Sequence, residues 1–317
     1  MPRVSAAVLN YNGRRLLDVI LPSLFAQDYR DYEVIVVDNG SSDDSVPYLR
    51  ARWPQARVLS VGASNVGVAA ALNLAVTAAA GELVALLNND IELDARWLGE
   101  LVAALDRHPE AVSVAGKLLN YYRREELDAA GDVFTRGGSA FGRGSGQRYV
   151  GQYESEEEVF APTAGAALYR VSAFADVGQF DESFFAYFED VDWGLRAQLA
   201  GHRSWYVPSA VAYHMGSATT RPTANPLYYK LQRRNAVALL IKDVPLRFIV
   251  RNAHRILADH ALGLAYSARA GMLGWHLRGY VAAARRAPMW LRARRTILAE
   301  RRIPLDDFDR FVSKRRV

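Results

Sequence analysis

The sequence predicts an α/β protein: a three-layer α/β/α sandwich about a mostly parallel sheet, with a helical extension at the C-terminus. Three observations carry that expectation. Residues 83–87, Leu-Val-Ala-Leu-Leu, form an unbroken apolar run, the pattern of a strand buried on both faces. From residue 4 to residue 88, apolar runs of strand length alternate with stretches of helical spacing, the order that builds a parallel sheet with crossover helices. Charge then divides the chain. Residues 231–317 hold 19 Lys and Arg against 6 Asp and Glu, whereas residues 1–230 hold 20 against 28. An acidic front and a basic end point to different partners for each.

Composition narrows the class further. With 317 residues, half of them hydrophobic, the chain can bury a full core as one large domain or two modest ones. It contains no cysteine, so disulfide frameworks and thiolate metal sites are excluded, and a reducing compartment fits. No apolar run approaches the ~18–20 residues of a membrane span. Met1-Pro2-Arg3 leads at once into a strand, so no signal peptide is expected and a cytoplasmic location follows.

Residues 4–9 are the first predicted strand, ending in Asn10-Tyr11-Asn12-Gly13. A helix over 14–26 follows from the spacing of Leu16, Leu17, Ile20, Leu21, Leu24 and Phe25. The second strand, 32–37, ends in Asp38-Asn39-Gly40-Ser41-Ser42-Asp43-Asp44, where Ser42 or Asp43 can cap a helix. After a third strand at 57–61, Asn65-Val66-Gly67 opens an Ala-rich helix that carries Asn73 and stops at Gly81. The strand at 83–87 is the fourth, and Asn88-Asn89-Asp90 stand at its carboxyl end. Ligands of open α/β sheets bind at such ends, and a carboxylate there can share a hard cation with substrate phosphates. Asn and Asp also make ordinary turns after strands. The first loop lacks the Gly-x-Gly-x-x-Gly fingerprint, which argues against a nicotinamide or flavin dehydrogenase.

A helix at 97–107 and a strand at 111–117 come next. Seven glycines between 131 and 151 break any long element, so residues 120–160 read as hairpins and a mobile loop over the site, or as a plain surface excursion. The small residues around Gly165 allow close approach of backbone to a ligand or another strand. Glu189, Asp190 and Asp192 lie within four positions, among Tyr187, Phe188 and Trp193. Carboxylates in an aromatic setting are costly to bury unless used or paired, and one raised in pKa would suit a general base. The same acids would also serve as the first turn of a helix. A strand at 202–207 precedes His214, which stands beside Gly216 and Ser217, a setting that suits a metal or phosphate contact.

Taken in order, these features resemble the inverting family 2 glycosyltransferases with the GT-A fold. The matching features are Asn10-Tyr11-Asn12, Val36-Val37-Asp38-Asn39-Gly40-Ser41, Asn65-x-Gly67 with Asn73, Asn88-Asn89-Asp90, Gly178-x-Phe180-Asp181-Glu182, Glu189-Asp190-x-Asp192-Trp193 and His214. Within the family the chain is most similar to rhamnosyltransferase-like enzymes of bacterial cell-wall and surface-polysaccharide assembly. The resemblance implies a nucleotide-sugar half over about 1–117, an acceptor half over about 118–226, and a basic helical region over 227–317. It implies that Asn10, Tyr11 and Asp38 hold base and ribose, and that Asn65 and Asn73 line or brace the diphosphate pocket. Asn12, Asn89, Gly165 and Trp193 complete the implied substrate-binding set. Asp90 would hold Mg²⁺ or Mn²⁺, with His214 as a further contact. Asp190 would be the catalytic base, oriented by Glu189 or Asp192. The expected donor is a dTDP- or UDP-sugar and the expected acceptor a glycan or lipid-linked hydroxyl. Asn88 departs from the family's usual Asp-x-Asp, which moves the metal role onto Asp90.

Beyond residue 227 the spacing predicts helices. Arg247, Arg251 and Arg255 recur every four residues on one face, and Arg278, Arg285, Arg286, Arg292, Arg294 and Arg295 stand among Trp275, Tyr280, Met289 and Trp290. Such a mixture fits an amphipathic helix on an anionic membrane, placing the protein at the inner face of the cell membrane; a solvated face or a homo-oligomer contact is the alternative. No nucleic-acid motif accompanies the charge. Two other classes compete. A nucleotidyltransferase would carry a Gly-rich basic loop after the first strand, which is lacking here. A non-catalytic membrane-associated subunit would have kept the fold without activity.

Overall fold

The computed structural model describes residues 1–163, 165–216 and 225–313; Ser217, singled out above, lies outside them. The first half follows the expected alternation: β1 (Val4–Asn10), α1 (Leu17–Phe25), β2 (Tyr32–Asp38), α2 (Ser45–Arg52), β3 (Arg57–Ser60), α3 (Val68–Ala78) and β4 (Leu83–Asn88). β5 (Ile91–Leu93), α4 (Trp97–Arg107), β6 (Ala111–Asn120), β7 (Leu127–Ala129), β8 (Asp132–Thr135), β9 (Ala140–Gly142) and β10 (Glu157–Val159) follow. The chain then forms β11 (Ala166–Arg170), α5 (Val171–Val177), α6 (Glu189–Leu199) and β12 (Arg203–His214). The C-terminal region contributes α7 (Pro226–Lys242), α8 (Leu246–Arg251), α9 (Ala253–Arg269), α10 (Leu273–Glu300) and β13 (Val312–Ser313).

The main sheet runs β10-β12-β6-β11-β4-β1-β2-β3. β1 pairs parallel with β2 and β4, and β2 with β3. β11 enters antiparallel between β4 and β6, and β12 lies parallel to β6. Six strands therefore share one direction, and their carboxyl ends (Asn10, Asp38, Ser60, Asn88, Asn120 and His214) face one side. Strand alternation sorts the core into layers. Val4, Ala6 and Val8 pack with Leu17, Leu21, Leu98 and Leu101 on one face, while Ala7, Ile35 and Val37 pack with Ala71, Ala75 and Trp193 on the other. The strand expected at 202–207 runs on to His214, which ends the strand and does not lie in a loop after it, with a register shift between Val207 and Val211. Gly116 makes that crossing possible, since a Cβ there would stand 1.9 Å from the Ala210 carbonyl oxygen.

Residues 120–160 are more regular than expected. β7 pairs with β6, and β8 and β9 form a hairpin that β13 extends into a three-stranded sheet. The C-terminal region is not a separate lobe. Ala238, Leu239, Phe248, Trp290 and Phe308 share one buried cluster with Phe134, Phe160, Phe184 and Val191. The three basic residues expected on one helix face are divided, Arg247 and Arg251 on α8 and Arg255 on α9 beyond the break at Asn252, and Arg247 pairs with Asp306 and Arg251 with Asp309.

Candidate active site

The strand tips are tied together before any ligand is considered. Asn10 is fully buried; its Nδ2 donates to Asp38 Oδ1 at 3.4 Å and Ser41 Oγ at 3.3 Å, and its Oδ1 accepts from Asn89 Nδ2 at 2.9 Å. Gly13 has to be glycine beside this knot, since a Cβ there would lie 2.0 Å from Asn89 Nδ2. Asn12 Oδ1 accepts from the Ser42 amide at 2.7 Å and so shapes the loop after β2. Asn65 Oδ1 accepts from the Gly67 amide at 2.8 Å and from Asn39 Nδ2 at 3.2 Å. These side chains spend their polar groups fixing loop shape, which presents the remaining groups at set positions.

Over these tips lies a cavity of about 750 Å³. Of the residues singled out in the sequence, Tyr11, Asn65, Asn89, Asp90, Gly165, Glu189, Asp190 and His214 line it. Asn88 lines it as well. Asn10, Asn12, Asp38, Asn73, Asp192 and Trp193 are not among its lining residues. Asn73 instead bridges α3 to the segment before α6: its Nδ2 donates to the Phe180 carbonyl and to Glu182, both at 3.0 Å, and its Oδ1 accepts from the Phe180 amide at 2.9 Å. Trp193, expected at the substrate, is packed against Tyr169, Phe174 and Phe180 and donates to the Gly178 carbonyl at 3.0 Å. Asp192, expected to orient the base, is fully buried between Arg196, at 2.9 Å, and Lys242. A buried carboxylate needs such partners, and this one is used up by them.

On one part of the wall, His214 Nε2 stands 3.4 Å from Asp90 Oδ1, and its Nδ1 stands 2.8 Å from Asp128 Oδ2. Burial disfavours the imidazolium, but Asp128 and Asp90 outweigh it and push the imidazole up to about 10. No group of three or more His, Cys, Asp or Glu among the described residues is arranged to hold a metal. The donor set fits a divalent ion only in the shared sense: a hard carboxylate and an imidazole that would have to give up its proton, with phosphate oxygens and water completing the shell.

Elsewhere on the wall, α6 begins with Glu189 and Asp190. Asp190 Oδ1 accepts from the Val191 amide at 2.8 Å. Burial, then the charge of Asp190, pushes the Glu189 carboxyl up to about 8, and its Oε2 has no hydrogen-bond partner among the described residues. A third acid was not singled out in the sequence. Asp132 lines the same cavity, accepts from Thr163 Oγ1 at 2.8 Å, and is raised well above the usual carboxylate range by burial and then by Asp190. Its only sequence signal is a lone acid after Gly131 in a Gly-rich stretch. Also unforeseen were Leu227, Tyr228, Leu231 and Gln232 of α7, which close the cavity. The Tyr228 ring meets Tyr187 edge-on at 5.1 Å.

A family model described as Glycosyl transferase family 2 matches residues 5–178. The chain belongs to glycosyl transferase family 2. It is 31% identical over 250 residues to the N-acetylglucosaminyl-diphospho-decaprenol L-rhamnosyltransferase of Mycobacterium tuberculosis, covering 69% of this chain and 78% of that protein. It is 32% identical over 234 residues to the O-antigen biosynthesis protein RfbC of Myxococcus xanthus, covering 71% of this chain and 18% of that one. Among solved structures, the mannosyltransferase PcManGT of Pyrobaculum calidifontis, in complex with GDP-Man and Mn²⁺, superposes with a TM-score of 0.57 at 19% identity. That likeness covers 94% of this chain and 86% of the other. The glycosyltransferase thus has the GT-A fold, and its acidic segment at 189–192 and all of α7 lie beyond the matched family segment.

Proposed function

We propose that this glycosyltransferase moves a sugar, rhamnose being the first candidate, from a dTDP- or UDP-sugar to a hydroxyl of a lipid-linked glycan, inverting the anomeric centre. The observation that carries this reading is that one cavity is lined by Asp90 and His214 and also by Glu189 and Asp190. The mycobacterial relative's name supports rhamnose and a lipid-linked acceptor, and the name of the Myxococcus xanthus relative supports a place in bacterial glycan assembly. When bound, Mg²⁺ or Mn²⁺ would supply Lewis-acid neutralisation of charge on the leaving diphosphate. Asp90 and His214 would hold it, and Asn65, Asn89 and Tyr11 would border the donor.

Asp190 accepts the acceptor hydroxyl's proton as attack proceeds. Glu189 stays protonated at neutral pH, which leaves one negative charge rather than two beside the hydroxyl. Tyr187, Tyr228 and Leu231 exclude water on the acceptor side. The enzyme would work at the inner face of the cell membrane, cytoplasmic and peripheral, held by a basic face of α10; a homo-oligomer contact is the competing use of that face. No helix among the described residues is long and apolar enough to cross a membrane.

The test is transfer from dTDP-rhamnose to a synthetic N-acetylglucosaminyl-diphospho-polyprenol with Mn²⁺. Asp190→Asn keeps the shape and removes the proton acceptor, so transfer should fall by ~10²–10⁴ while donor affinity holds. Near wild-type transfer by this variant would remove Asp190 from the role. Wild-type protein that neither transfers nor hydrolyses any nucleotide sugar would favour a non-catalytic subunit.

A further inference from the structure

The segment leading into α6 follows an unusual path. Phe185, Tyr187 and Phe188 have φ of 64°, 70° and 67°. Bulky L-residues rarely enter this region. Elsewhere among the described residues the chain mostly uses glycine for positive φ; only Asn12 and Tyr153 are further exceptions. Such strain persists only where the surroundings over-determine it.

The side chains that hold it come from about fifty residues later, on α7. Asn235 is fully buried, and its Nδ2 donates to the carbonyls of Phe184 at 3.0 Å, Ala186 at 2.9 Å and Tyr187 at 2.7 Å. Arg234 Nη2 adds a bond to the Phe184 carbonyl at 2.5 Å, and its Nε donates to Asn235 Oδ1 at 2.8 Å, which fixes which way the amide faces. One turn of α7 therefore satisfies the carbonyls of Phe184, Ala186 and Tyr187, while the Phe185 carbonyl accepts from the Val68 amide at 2.5 Å at the start of α3. Phe188, the last strained residue, is the N-cap of α6, so the path of this loop sets where Glu189 and Asp190 stand.

We propose that Asn235, oriented by Arg234, is a positioning residue for sugar transfer: it clamps residues 184–188, with Phe185, Tyr187 and Phe188 at positive φ, and thereby holds Glu189 and Asp190 against the acceptor hydroxyl. This rests on the role given above to Asp190. A general base has to lie within hydrogen-bond reach of its proton, and a displacement of about 1 Å can cost ~10²-fold in rate. The clamp also explains why a helix outside the matched family segment is built into the catalytic cavity.

The experiment uses the full chain with Asn235→Ala, read by transfer kinetics with the donor and acceptor named above, or by donor hydrolysis, and by amide hydrogen exchange. The expected result is a kcat lower by about 10²-fold, with donor KM within about twofold of wild type. Exchange should quicken over 184–190 and stay unchanged in β1 and β4. Phe188→Asn, which tolerates the left-handed region, should make the protein less dependent on Asn235, so Asn235→Ala should cost less in that background. A folded Asn235→Ala protein with near wild-type kcat and unaltered exchange over 184–190 would overturn the proposal, as would an equal cost in both backgrounds. If Asn235→Ala does not fold, recovery of folded protein in Asn235→Ala/Phe188→Asn supports the clamp, and failure of that pair to fold overturns it. Normal transfer by Asp190→Asn would instead strike the base assignment, and hydrogen exchange would still decide the clamp.

Discussion

Glu189 is 7% exposed, and burial followed by the charge of Asp190 pushes its carboxyl up to about 8 from an ordinary 4.5. Between those two values the folded protein keeps a proton that the unfolded chain has lost. Stability must then fall as pH rises through that window, because the native state binds more protons than the unfolded one. Glu189→Gln should lessen this slope in urea stability between pH 5 and 8, the remainder belonging to Asp132 and Asp243, whose carboxyls burial also raises. An unchanged slope would place the pH dependence elsewhere. Asp90 invites a second substitution at this scale. Asp90→Ala should abolish most Mn²⁺-dependent binding of UDP or dTDP in calorimetry, since it removes the carboxylate best placed for a hard cation. Asn88→Ala, which removes a neutral oxygen, should be milder, and equal affinity in wild type and Asp90→Ala would strike the metal assignment. The cavity placement of Asp90, Glu189 and Asp190 was legible because each follows a strand tip or a run of aromatics. Asp132 was not: nothing near it in sequence shows that β8 folds back against α6.

At the scale of elements, the parallel block β3-β2-β1-β4 was readable from apolar runs and polar tips. The antiparallel entry of β11 was not, since its small residues read equally as a ligand-facing loop. The β6–β12 pair shows how tightly such packing is set. A methyl group on Gly116 would collide with the Ala210 carbonyl oxygen, so Gly116→Ala has to force the two strands apart. Overpacking of this kind costs about 1–3 kcal/mol or more, which a lower urea midpoint with an unchanged slope would register. A midpoint equal to wild type would mean that the bulge shifts freely. α7 tells the same story from the other side. Its apolar positions were visible as a helix, but a helical pattern does not name the surface it will cover, and here that surface includes the loop leading into α6.

At the scale of the molecule, the basic C-terminal region divides into engaged and free charge. Arg247 and Arg251 are tied to Asp306 and Asp309, partners too exposed to add much stability. Arg278, Arg285 and Arg292 are exposed, enter no ion pair among the described residues, and recur every seven residues along α10. Leu277, Val281 and Met289 are exposed beside them. Reversing these three arginines to Glu should weaken binding to anionic vesicles, more at low than at high salt, and leave donor hydrolysis intact. Equal vesicle binding by variant and wild type would assign this face to self-association. The order in which the chain is made gives β11 a different importance. It joins the sheet between β4 and β6 although both precede it in the chain. On the ribosome, the flank of β4 that β11 will cover stays open until residue 170 has been added. At about 5–20 residues per second, the roughly 80 residues in between take about 4–16 s. During that interval β4, paired with β1 on its other side, keeps one apolar edge open, the condition under which nascent chains pair with one another. A fragment ending at residue 120 should therefore aggregate, whereas its recovery as a soluble monomer would show that the open flank is shielded by other means. Efficient production of this enzyme would then depend on a holding chaperone that binds early and lets go once β11 arrives.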